Sequence, residues 1–297
     1  MNGKYHAHSE AAFAVPLSIS ALAIYIAAAA LFFFLSANPT RAQERGGQKP
    51  ADPHSLVSEV VNNELNSQKN DQSLWSYSET HKAKRKARGF HVVETKDGEV
   101  DQLVSLNGQP LSQMQRKKEN DRIERLLANP EDIRKQHASE ASDANEERKL
   151  LKMLPDAFIY KYDGMQGANI RLRFRPNPQF NASDHESEVF HHMDGTMLVD
   201  AHQKRLAELD GRIISEVKFG GGLLGHLDKG GTFSVKQQDV GGGHWEMTYL
   251  NVQMNGKALF FKTIAVRETE SDSNFHRLPD NLSAGQAAKI LNVRSGT

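Results

Sequence analysis

The segment Arg171-Leu172-Arg173-Phe174-Arg175 decides the fold class, because charged and apolar residues alternate along it without a break. Successive side chains of a β-strand point to opposite faces of a sheet, so this segment predicts a strand with one wet and one dry face. The same two-residue period returns near the end of the chain, at Leu250, Val252 and Met254 and at Ala258, Phe260, Ile264 and Val266. The apolar side of these strands is predicted to face the core.

A series of such strands is predicted between residues 157 and 270. Their ranges are near 157–162, 168–175, 187–193, 196–200, 204–209, 212–219, 231–240, 245–254 and 258–269. Tight hairpin turns need positive φ angles, and four pairs of residues are suited to them: Asp163-Gly164, Asp194-Gly195, Asp210-Gly211 and Asn255-Gly256. Short consecutive strands joined by tight turns indicate an antiparallel meander rather than a parallel sheet.

The amino-terminal part of the domain combines a helix with a further hairpin. An Asp-Pro start followed by one apolar stripe predicts an amphipathic helix over residues 53–67. A strand is predicted at residues 73–80. Asp97-Gly98 is a strong signal for a two-residue turn, and it predicts a hairpin between residues 90–95 and 99–106.

Residues 110–154 break the strand pattern, because they are rich in Glu, Lys, Arg, Gln and Ala. They predict two helices, the second of which begins after Asn129-Pro130. Together the patterns predict an α+β fold: one curved antiparallel β-sheet, an incomplete β-barrel, with two or three helices packed on its concave side. The domain is predicted to cover residues 53–280, between a disordered leader at 43–52 and a C-terminal tail at 281–297.

The first forty residues predict export from the cytoplasm. No charged residue occurs from Ala11 to Leu35, and a helix of this length can span a bilayer of ~30 Å. Thr40-Arg41-Ala42 places small residues where signal peptidase reads them, so residues 1–42 are a signal peptide or, if uncleaved, a membrane anchor through residues 11–35. Both alternatives place the rest of the chain across the cytoplasmic membrane, in the periplasm or anchored beside it.

The composition excludes several classes of protein. The chain has 37 Lys and Arg against 37 Asp and Glu, and this zero net charge argues against a dedicated nucleic-acid binder. Because cysteine is absent, disulfides, thiolate metal sites, cysteine nucleophiles and a bacterial lipid anchor are excluded. A mean hydropathy of −0.60 excludes a polytopic membrane protein. We therefore expect no nucleic-acid partner.

A glycine-rich segment with leucines supplies the predicted ligand-binding residues. The residues from Gly220 to Gly225 match the spacing of a dinucleotide-binding loop, but such a loop requires a helix to begin there, and a further strand is predicted instead. Two alternatives remain: a flexible connection between strands, or an apolar flap that covers a ligand cavity or contacts a membrane. The predicted ligand-binding residues are Leu223, Leu224, Leu227, Trp245 and Phe260.

One histidine-rich segment resembles a metal site in composition. It contains His185, Glu186, Glu188, His191 and His192, with His202 nearby. Neighbouring residues of a strand point to opposite faces, so His191 and His192 are not expected to hold one ion. The sequence also lacks an H-E-x-x-H helix and a G-x-S-x-G nucleophile elbow. We therefore expect no metal, no cofactor, no catalytic residue and no enzyme activity. A metal-dependent hydrolase that uses these histidines is the least favoured of the functions considered.

A dense basic run precedes the predicted hairpin, at Lys82, Lys84, Arg85, Lys86 and Arg88. Lysines on an edge strand or turn prevent pairing with other chains, which is one interpretation of the run. The other is contact with a membrane surface, because each basic residue near anionic headgroups contributes ~1 kcal/mol. The sequence leaves both interpretations open.

A family resemblance rests on two adjacent strands. The segment Asp194-Gly195-Thr196-Met197-Leu198-Val199-Asp200 leads to residues 204–211, and this pair resembles the periplasmic lipoprotein-carrier superfamily, which includes the outer-membrane lipoprotein-sorting carrier. The N-terminal amphipathic helix and the long meander are similar to the same group. Residues 219–263 also resemble envelope proteins of soil bacteria, with Gly-Gly-Leu-Leu-Gly-His-Leu and Gly-His-Trp-Glu in the same order. The resemblance implies an incomplete barrel whose concave, apolar face is lidded by helices.

These observations predict an exported, non-enzymatic carrier that holds a lipid or lipidated peptide in an apolar concavity. Such a groove suits an acyl chain, because each buried CH₂ contributes ~0.8 kcal/mol without a polar partner. The alternative is an envelope structural or interaction module that offers its sheet face or edge to a protein partner. A carrier predicts an elongated apolar cavity, whereas an interaction module predicts a filled core and an exposed apolar patch.

Overall fold

The computed structural model describes residues 52–258 and 262–292. Its strands are β1 Leu74–Ala83, β2 Lys86–Thr95, β3 Gly98–Leu106, β4 Gln109–Pro110, β5 Phe158–Gln166, β6 Asn169–Pro176, β7 Met193–Asp200, β8 Leu206–Ile213, β9 Val217–Phe219, β10 Gly225–Leu227, β11 Thr232–Gly241, β12 His244–Ala258 and β13 Lys262–Leu278. Its helices are α1 Pro53–Asn70, α2 Gln113–Ala128, α3 Pro130–Ala157, α4 His185–Glu188 and α5 Ala284–Ile290.

All the strands belong to one sheet. Its main path runs β4-β3-β2-β1-β13-β12-β11-β8-β7-β6-β5, and β9 and β10 join it beside β12. Neighbouring strands pair antiparallel, as at β1 and β13 or β7 and β8. Within the described residues the terminal strands β4 and β5 do not pair with each other, so the sheet is not closed into a barrel. The predicted α+β fold with a curved antiparallel sheet is confirmed.

Helix α1 begins where the sequence predicts and ends three residues later than predicted. The carboxylate of Asp52 accepts a hydrogen bond from the backbone N–H of Ser55, and Pro53 occupies the first helical turn, where its missing N–H has no intrahelical partner to lose. The apolar stripe of α1 is buried against the sheet and consists of Leu56, Val57, Val60 and Val61. The helix is therefore stabilised by the burial of one face.

Helices α1 and α3 cover one side of the sheet, which we call the inner face. The apolar side chains of strands β5 to β8, β11 and β12 point to this face and form a single core with both helices. Leu150, Leu151 and Leu154 of α3 and Val57 of α1 lie in this core and are at most 6% exposed. An apolar sheet face must be covered by another layer, and here the chain's own helices cover it. On these strands the predicted apolar concavity is thus filled by α1 and α3.

A second, smaller core lies at the other end of the sheet. Val93 of β2 and Val100 of β3 pack with Ile123 of α2 and Ala287 of α5. Val93 pairs with Val100. Successive side chains of a strand point to opposite faces, so Val92 points to the inner face and Val93 points away from it. Strands β2 and β3 are therefore covered on the side opposite to the inner face. Helix α5 lies within the segment that the sequence predicts as a C-terminal tail.

Two of the predicted turns are corrected by the structure. Asp194-Gly195 and Asp210-Gly211 lie inside β7 and β8, where Gly195 pairs directly with Gly211. A Cβ atom on Gly195 would stand 1.9 Å from the carbonyl oxygen of Asp210 and 2.7 Å from the ring of Phe174. These glycines allow close packing across the sheet rather than a turn.

Asn255-Gly256 is also misassigned by the turn pattern, since it lies inside β12. A Cβ atom on Gly256 would stand 2.2 Å from the carbonyl oxygen of His226, because β10 pairs with β12 at this point. Asp163-Gly164 lies at an irregularity in the pairing of β5 with β6, and Gly164 has a φ of 94°. Of the four predicted pairs, this one retains the positive φ that the prediction requires.

The predicted strand at 187–193 is wrong, because α4 and a 3₁₀ turn at Val189–His192 occupy these residues. The carboxylate of Asp184 accepts a hydrogen bond from the N–H of Ser187, and the Ser187 hydroxyl lies within bonding distance of the Asp184 N–H. This reciprocal cap starts a helix. The strand begins only at Met193.

The predicted signal or anchor at 1–42, almost all of the leader at 43–52, and Phe260 lie outside the described residues. Within residues 52–258 and 262–292, none of the helices combines the length and apolarity needed to span a bilayer.

Candidate functional site

The predicted flap is an exposed loop that joins β9 and β10. Leu223 is 64% exposed and Leu224 is 42% exposed. Gly220, Gly221 and Gly222 all have positive φ angles, which residues with a side chain rarely adopt. The three glycines themselves form a 3₁₀ turn and strand β10 begins at Gly225, so the helix required by a dinucleotide-binding loop does not begin here.

The structure does not bring the predicted ligand-binding residues together. Leu227 is fully buried in the main core, whereas Leu223 and Leu224 are exposed. Trp245 lies at the start of β12, where its Nε1–H donates a hydrogen bond to Oε1 of Gln203 at 3.0 Å. Leu227 and Trp245 therefore occupy structural positions, and the two exposed leucines form a separate patch.

The histidine-rich segment forms local contacts. His192 lies on a 3₁₀ turn rather than on a strand, so the argument from alternating strand faces does not apply to it. Its Nδ1 lies 2.8 Å from the hydroxyl of Ser215, and its Nε2 lies 3.9 Å from Glu188. Among the residues that the structure describes, no group of three or more His, Asp or Glu side chains is placed to hold a metal ion.

The basic run forms the tip of the β1–β2 hairpin. Lys84 occupies the turn with a φ of 56°, and Lys82, Arg85, Lys86 and Arg88 are exposed. The tip is thus a solvated, positively charged projection.

The strand pair that carries the family resemblance contains a buried ion pair. Arg205 donates two hydrogen bonds to the carboxylate of Glu64 on α1, each 2.9 Å long, and the backbone N–H of Leu206 donates a third at 2.7 Å. The side chains of Glu64 and Arg205 are 0% and 7% exposed. This contact fastens α1 to the sheet. Asp200 caps the adjoining turn by accepting hydrogen bonds from the N–H groups of His202 and Gln203.

The face opposite to the inner face, here called the outer face, carries two clefts. One has a volume of about 940 Å³, and its lining includes Glu208, Lys236 and Tyr249 and also Asp272 and Phe275. The other, of about 790 Å³, lies over β5 to β8 and is lined mainly by charged residues, which are Lys161, Arg171, Arg173, Arg175, Asp194, Asp210 and Arg212. Several of these charges already form ion pairs, such as Arg212 with Asp194 at 2.6 Å. Charged side chains line both clefts.

The inner face changes character beyond β12. Its strand register places Glu270 opposite Leu250, and Glu79 opposite Asp272. Glu94 pairs with Glu99 across β2 and β3. Because these carboxyl groups share the inner face with the apolar core, they form what we call the acidic strip: Glu79, Glu94, Glu99, Glu270 and Asp272. The helices fill the inner face on one half of the sheet, and acids line it on the other.

Tyr77 lies in the middle of the acidic strip. Its ring stacks on Phe275, with ring centroids 5.2 Å apart and an interplanar angle of 23°. Burial raises the pKa of the Tyr77 hydroxyl well above its ordinary value, and the charges of Glu99, Glu94, Asp272 and Glu79 raise it further. Four carboxyl groups therefore surround one phenol, which is itself still in partial contact with solvent.

Burial also raises the pKa values of the carboxyl groups. Burial, and then the charge of Glu270, raises the pKa of Glu79 to about 7. Burial, and then the charges of Glu270 and Glu79, raises the pKa of Asp272 to about 8. Burial, and then the charges of Glu99 and Glu246, raise the pKa of Glu94 well above its ordinary value, and the hydrogen bond from the Trp75 N–H opposes this shift. Holding these acids close together is unfavourable when they are ionised, because their charges repel each other and are buried. Protonation or a bound cation would reduce this electrostatic cost.

Glu246 of β12 adjoins the acidic strip. Its side chain is buried, its charge acts on Glu94, and burial together with the charge of Asp71 raises its pKa well above the ordinary value. Its Oε1 atom and the Oδ1 atom of Asp272 have no hydrogen-bond partner in the described part of the chain. Buried oxygen atoms without a donor are rare in folded proteins.

Sequence reasoning missed the acidic strip. Its signal is present as alternation, with Tyr77, Glu79 and His81 on β1 and Glu268, Glu270 and Asp272 on β13. Each set alone predicts an ordinary wet strand face. Only the pairing of two strands almost 200 residues apart places them on the same face as the core.

Comparison with known proteins leaves the family open. No protein-family model matches the chain, and no curated protein matches it. Among solved structures, a DUF1329 family protein from Desulfovibrio piger is similar, with 10% sequence identity and a TM-score of 0.25. The similarity covers 76% of this chain and 93% of that chain. At this TM-score the similarity supports no conclusion about function.

Proposed function

We propose that the chain is a non-enzymatic carrier of the cell envelope that holds an acyl chain, from a lipid or lipidated peptide, against the apolar half of the inner face. In the present arrangement α1 and α3 fill that surface, which is the filled core expected of an interaction module, so the carrier role requires a helix to move. The acyl chain would take the place of the apolar stripe of α1, with the helix moving away from the sheet. The observation that carries the proposal is the pair of exposed leucines that adjoins this core.

Leu223 and Leu224 extend the core to the surface. Phe219 and Leu227, which flank their loop, belong to the main core and are at most 2% exposed. The side chain of Leu224 folds back to within 2.9 Å of where a Cβ atom on Gly220 would stand. An exposed apolar loop joined to the core by glycines is suited to accept an acyl chain and pass it inward.

The energies of such an exchange are comparable. Exposing the four buried side chains of α1 costs about 6–12 kcal/mol, at ~1.5–3 kcal/mol for each. An acyl chain of sixteen carbons offers on the order of 10 kcal/mol before ordering costs. A bound acyl chain can therefore offset the exposure of the apolar stripe of α1, but moving the helix also separates Glu64 from Arg205, which adds to the cost.

A fluorescent fatty acid tests the proposal. We expect saturable uptake by the unmodified chain, and uptake at least fivefold weaker in a Leu223→Ser/Leu224→Ser variant. The matched control is Val104→Ser/Met165→Ser, which removes two apolar side chains of similar exposure elsewhere. Uptake that is absent in the unmodified chain, or equally weak in the two variants, contradicts the proposal.

The envelope location is supported by residues 1–42, and the carrier role by the resemblance of residues 194–211 to lipoprotein carriers. Mass determination of the chain from a membrane-free envelope fraction would detect cleavage after Ala42. An intact chain found only in membranes would identify the segment as an anchor, and a cytoplasmic chain would contradict export.

The outer-face clefts favour a second function, an interaction module for an envelope protein partner. Their mixed charges suit the polar surface of a protein partner. Arg173→Glu/Arg175→Glu would abolish co-purification of such a partner and leave fatty-acid uptake unchanged. Loss of uptake in that variant would assign the cleft to the carrier role.

A further inference from the structure

We infer that the acidic strip binds an organic polycation, a flexible chain that carries two or more ammonium groups. This inference concerns a surface that the carrier proposal does not use. It rests on the spacing of the carboxyl groups, on two buried oxygen atoms without donors, and on the aromatic and apolar side chains between them.

The carboxyl groups are spaced for a chain rather than for an ion. Neighbouring strands lie ~4.8 Å apart, and alternate residues along one strand lie ~6.8 Å apart. Glu79 and Asp272 face each other across one such interval, and Glu94 and Glu99 across another. Ammonium groups separated by three or four methylenes match these intervals. The described residues offer no cluster tight enough for a metal ion, which agrees with acids dispersed over four strands.

Two buried oxygen atoms point to a missing donor. The residues Glu246 and Asp272 are 7% and 9% exposed, and within residues 52–258 and 262–292 neither Glu246 Oε1 nor Asp272 Oδ1 has a hydrogen-bond partner. A buried carboxylate without a donor is costly, and an ammonium group carries three N–H donors. A bound polycation would supply both the charge and the hydrogen bonds.

The described cations nearby form ion pairs with acids outside the acidic strip. Arg205 is directed to Glu64, and Arg122 to Glu119 and Asp101. His81 lies 3.8 Å from Glu268. The ionisable groups whose charges act on the strip or on Glu246 are His81, Asp71, Asp101, Glu246, Glu268 and Arg205. Most of these groups are acids as well.

Apolar and aromatic side chains complete the surface. Phe90 and Leu103 pair across β2 and β3, with Phe90 opposite Glu79, and both are half-buried. Tyr77 stacks on Phe275 among the carboxyl groups. Methylene groups can pack on these side chains, and an ammonium group over an aromatic ring gains a cation–π contact. A polyamine has both kinds of group, whereas an inorganic cation has one.

Calorimetric titration of the full chain with spermidine at pH 7.5 tests the inference. We expect saturable binding that is at least tenfold tighter than binding of butylamine, which carries one ammonium group. Mg²⁺ at equal ionic strength is expected not to compete. Binding that Mg²⁺ abolishes, or that butylamine equals, would show ordinary screening of a negative surface and would overturn the inference.

Paired variants locate the site. Glu79→Gln/Asp272→Asn keeps side-chain volume and removes two carboxyl groups that a bound cation would ionise, and we expect spermidine affinity to fall at least tenfold. Glu59→Gln/Asp121→Asn removes the same charges from helix surfaces and is expected to change affinity less than twofold. The thermal midpoint of each variant monitors folding. If the first pair folds and binds as the unmodified chain does, the site is elsewhere and the inference fails, whatever the fatty-acid assay shows.

Discussion

The two halves of the inner face are built on the same sheet and differ in what covers them. From β5 to β12, inward side chains are apolar and lie under α1 and α3. From β13 to β3, the same face carries Glu270, Asp272, Glu79, Glu94 and Glu99. One face of a single sheet can therefore carry apolar side chains on one half and carboxyl groups on the other, provided that each half is covered by groups that suit it. The apolar half is covered by the chain's own helices, whereas on the acidic half the Oδ1 atom of Asp272 has no hydrogen-bond partner among the described residues.

The largest effect is expected from breaking the contact that holds α1 on the apolar half. Glu64→Ala leaves the guanidinium of Arg205 and the N–H of Leu206 buried without their acceptor. Loss of one partner of a buried pair costs about 3–5 kcal/mol, and we expect this fall in the free energy of unfolding in urea. Arg212→Ala, which breaks an exposed pair with Asp194, should cost less than about 1 kcal/mol. Equal losses would mean that the buried pair does not fasten the helix.

The acidic half should make stability depend on pH. The pKa values of Glu79 and Asp272 are raised to about 7 and about 8, so the folded chain holds protons that the unfolded chain has released. Stability is then greatest below about pH 4 for these groups and falls as pH rises to about 8, by at most ~1.4 kcal/mol per pH unit for each group. Thermal unfolding from pH 5 to pH 9 measures the slope.

Glu79→Gln/Asp272→Asn provides the comparison for that slope. The amides do not ionise, so the variant should be more stable than the unmodified chain above pH 8 and should lose less stability between pH 5 and 9. Parallel curves of stability against pH for the two proteins would show that Glu79 and Asp272 do not cause the pH dependence.

A smaller effect is expected from the close pairing beneath the apolar half. Gly195→Ala directs a methyl group at the carbonyl oxygen of Asp210, and β7 and β8 must separate to admit it. Overpacking of this kind costs about 1–3 kcal/mol. Gly285→Ala, at a helical position with open space around it, should be neutral or stabilising by up to about 1 kcal/mol. A neutral Gly195→Ala would show that β7 and β8 do not approach each other this closely at Gly195.

The elements that sequence reasoning predicted correctly are those with local causes. The Asp52 cap starts α1, and the hairpin around Asp97-Gly98 forms between β2 and β3 with a φ of 128° at Gly98. The errors came from residues whose role depends on distant strands. The sequence pattern predicts Gly195 and Gly211 as turn residues. In the structure a larger residue at either position would clash with a residue of a neighbouring strand.

The candidate sites also differ in whether local sequence is enough to predict them. Exposed leucines beside glycines could be predicted as a loop patch from residues 220–225 alone. The acidic strip could not, because Glu79 and Asp272 meet through the pairing of β1 with β13. Strand register over such a separation is set by the whole core, and local patterns do not specify it.

Carbon-13 NMR titration of the Asp and Glu carboxyl groups tests most directly whether the acidic half of the inner face binds a cation. We predict that the free protein has signals with midpoints near 7 for Glu79 and near 8 for Asp272. With saturating spermidine both midpoints should fall towards the ordinary values near 4, because a bound cation favours the ionised form. Midpoints already near 4 in the free protein, or midpoints that spermidine does not move, would contradict the account.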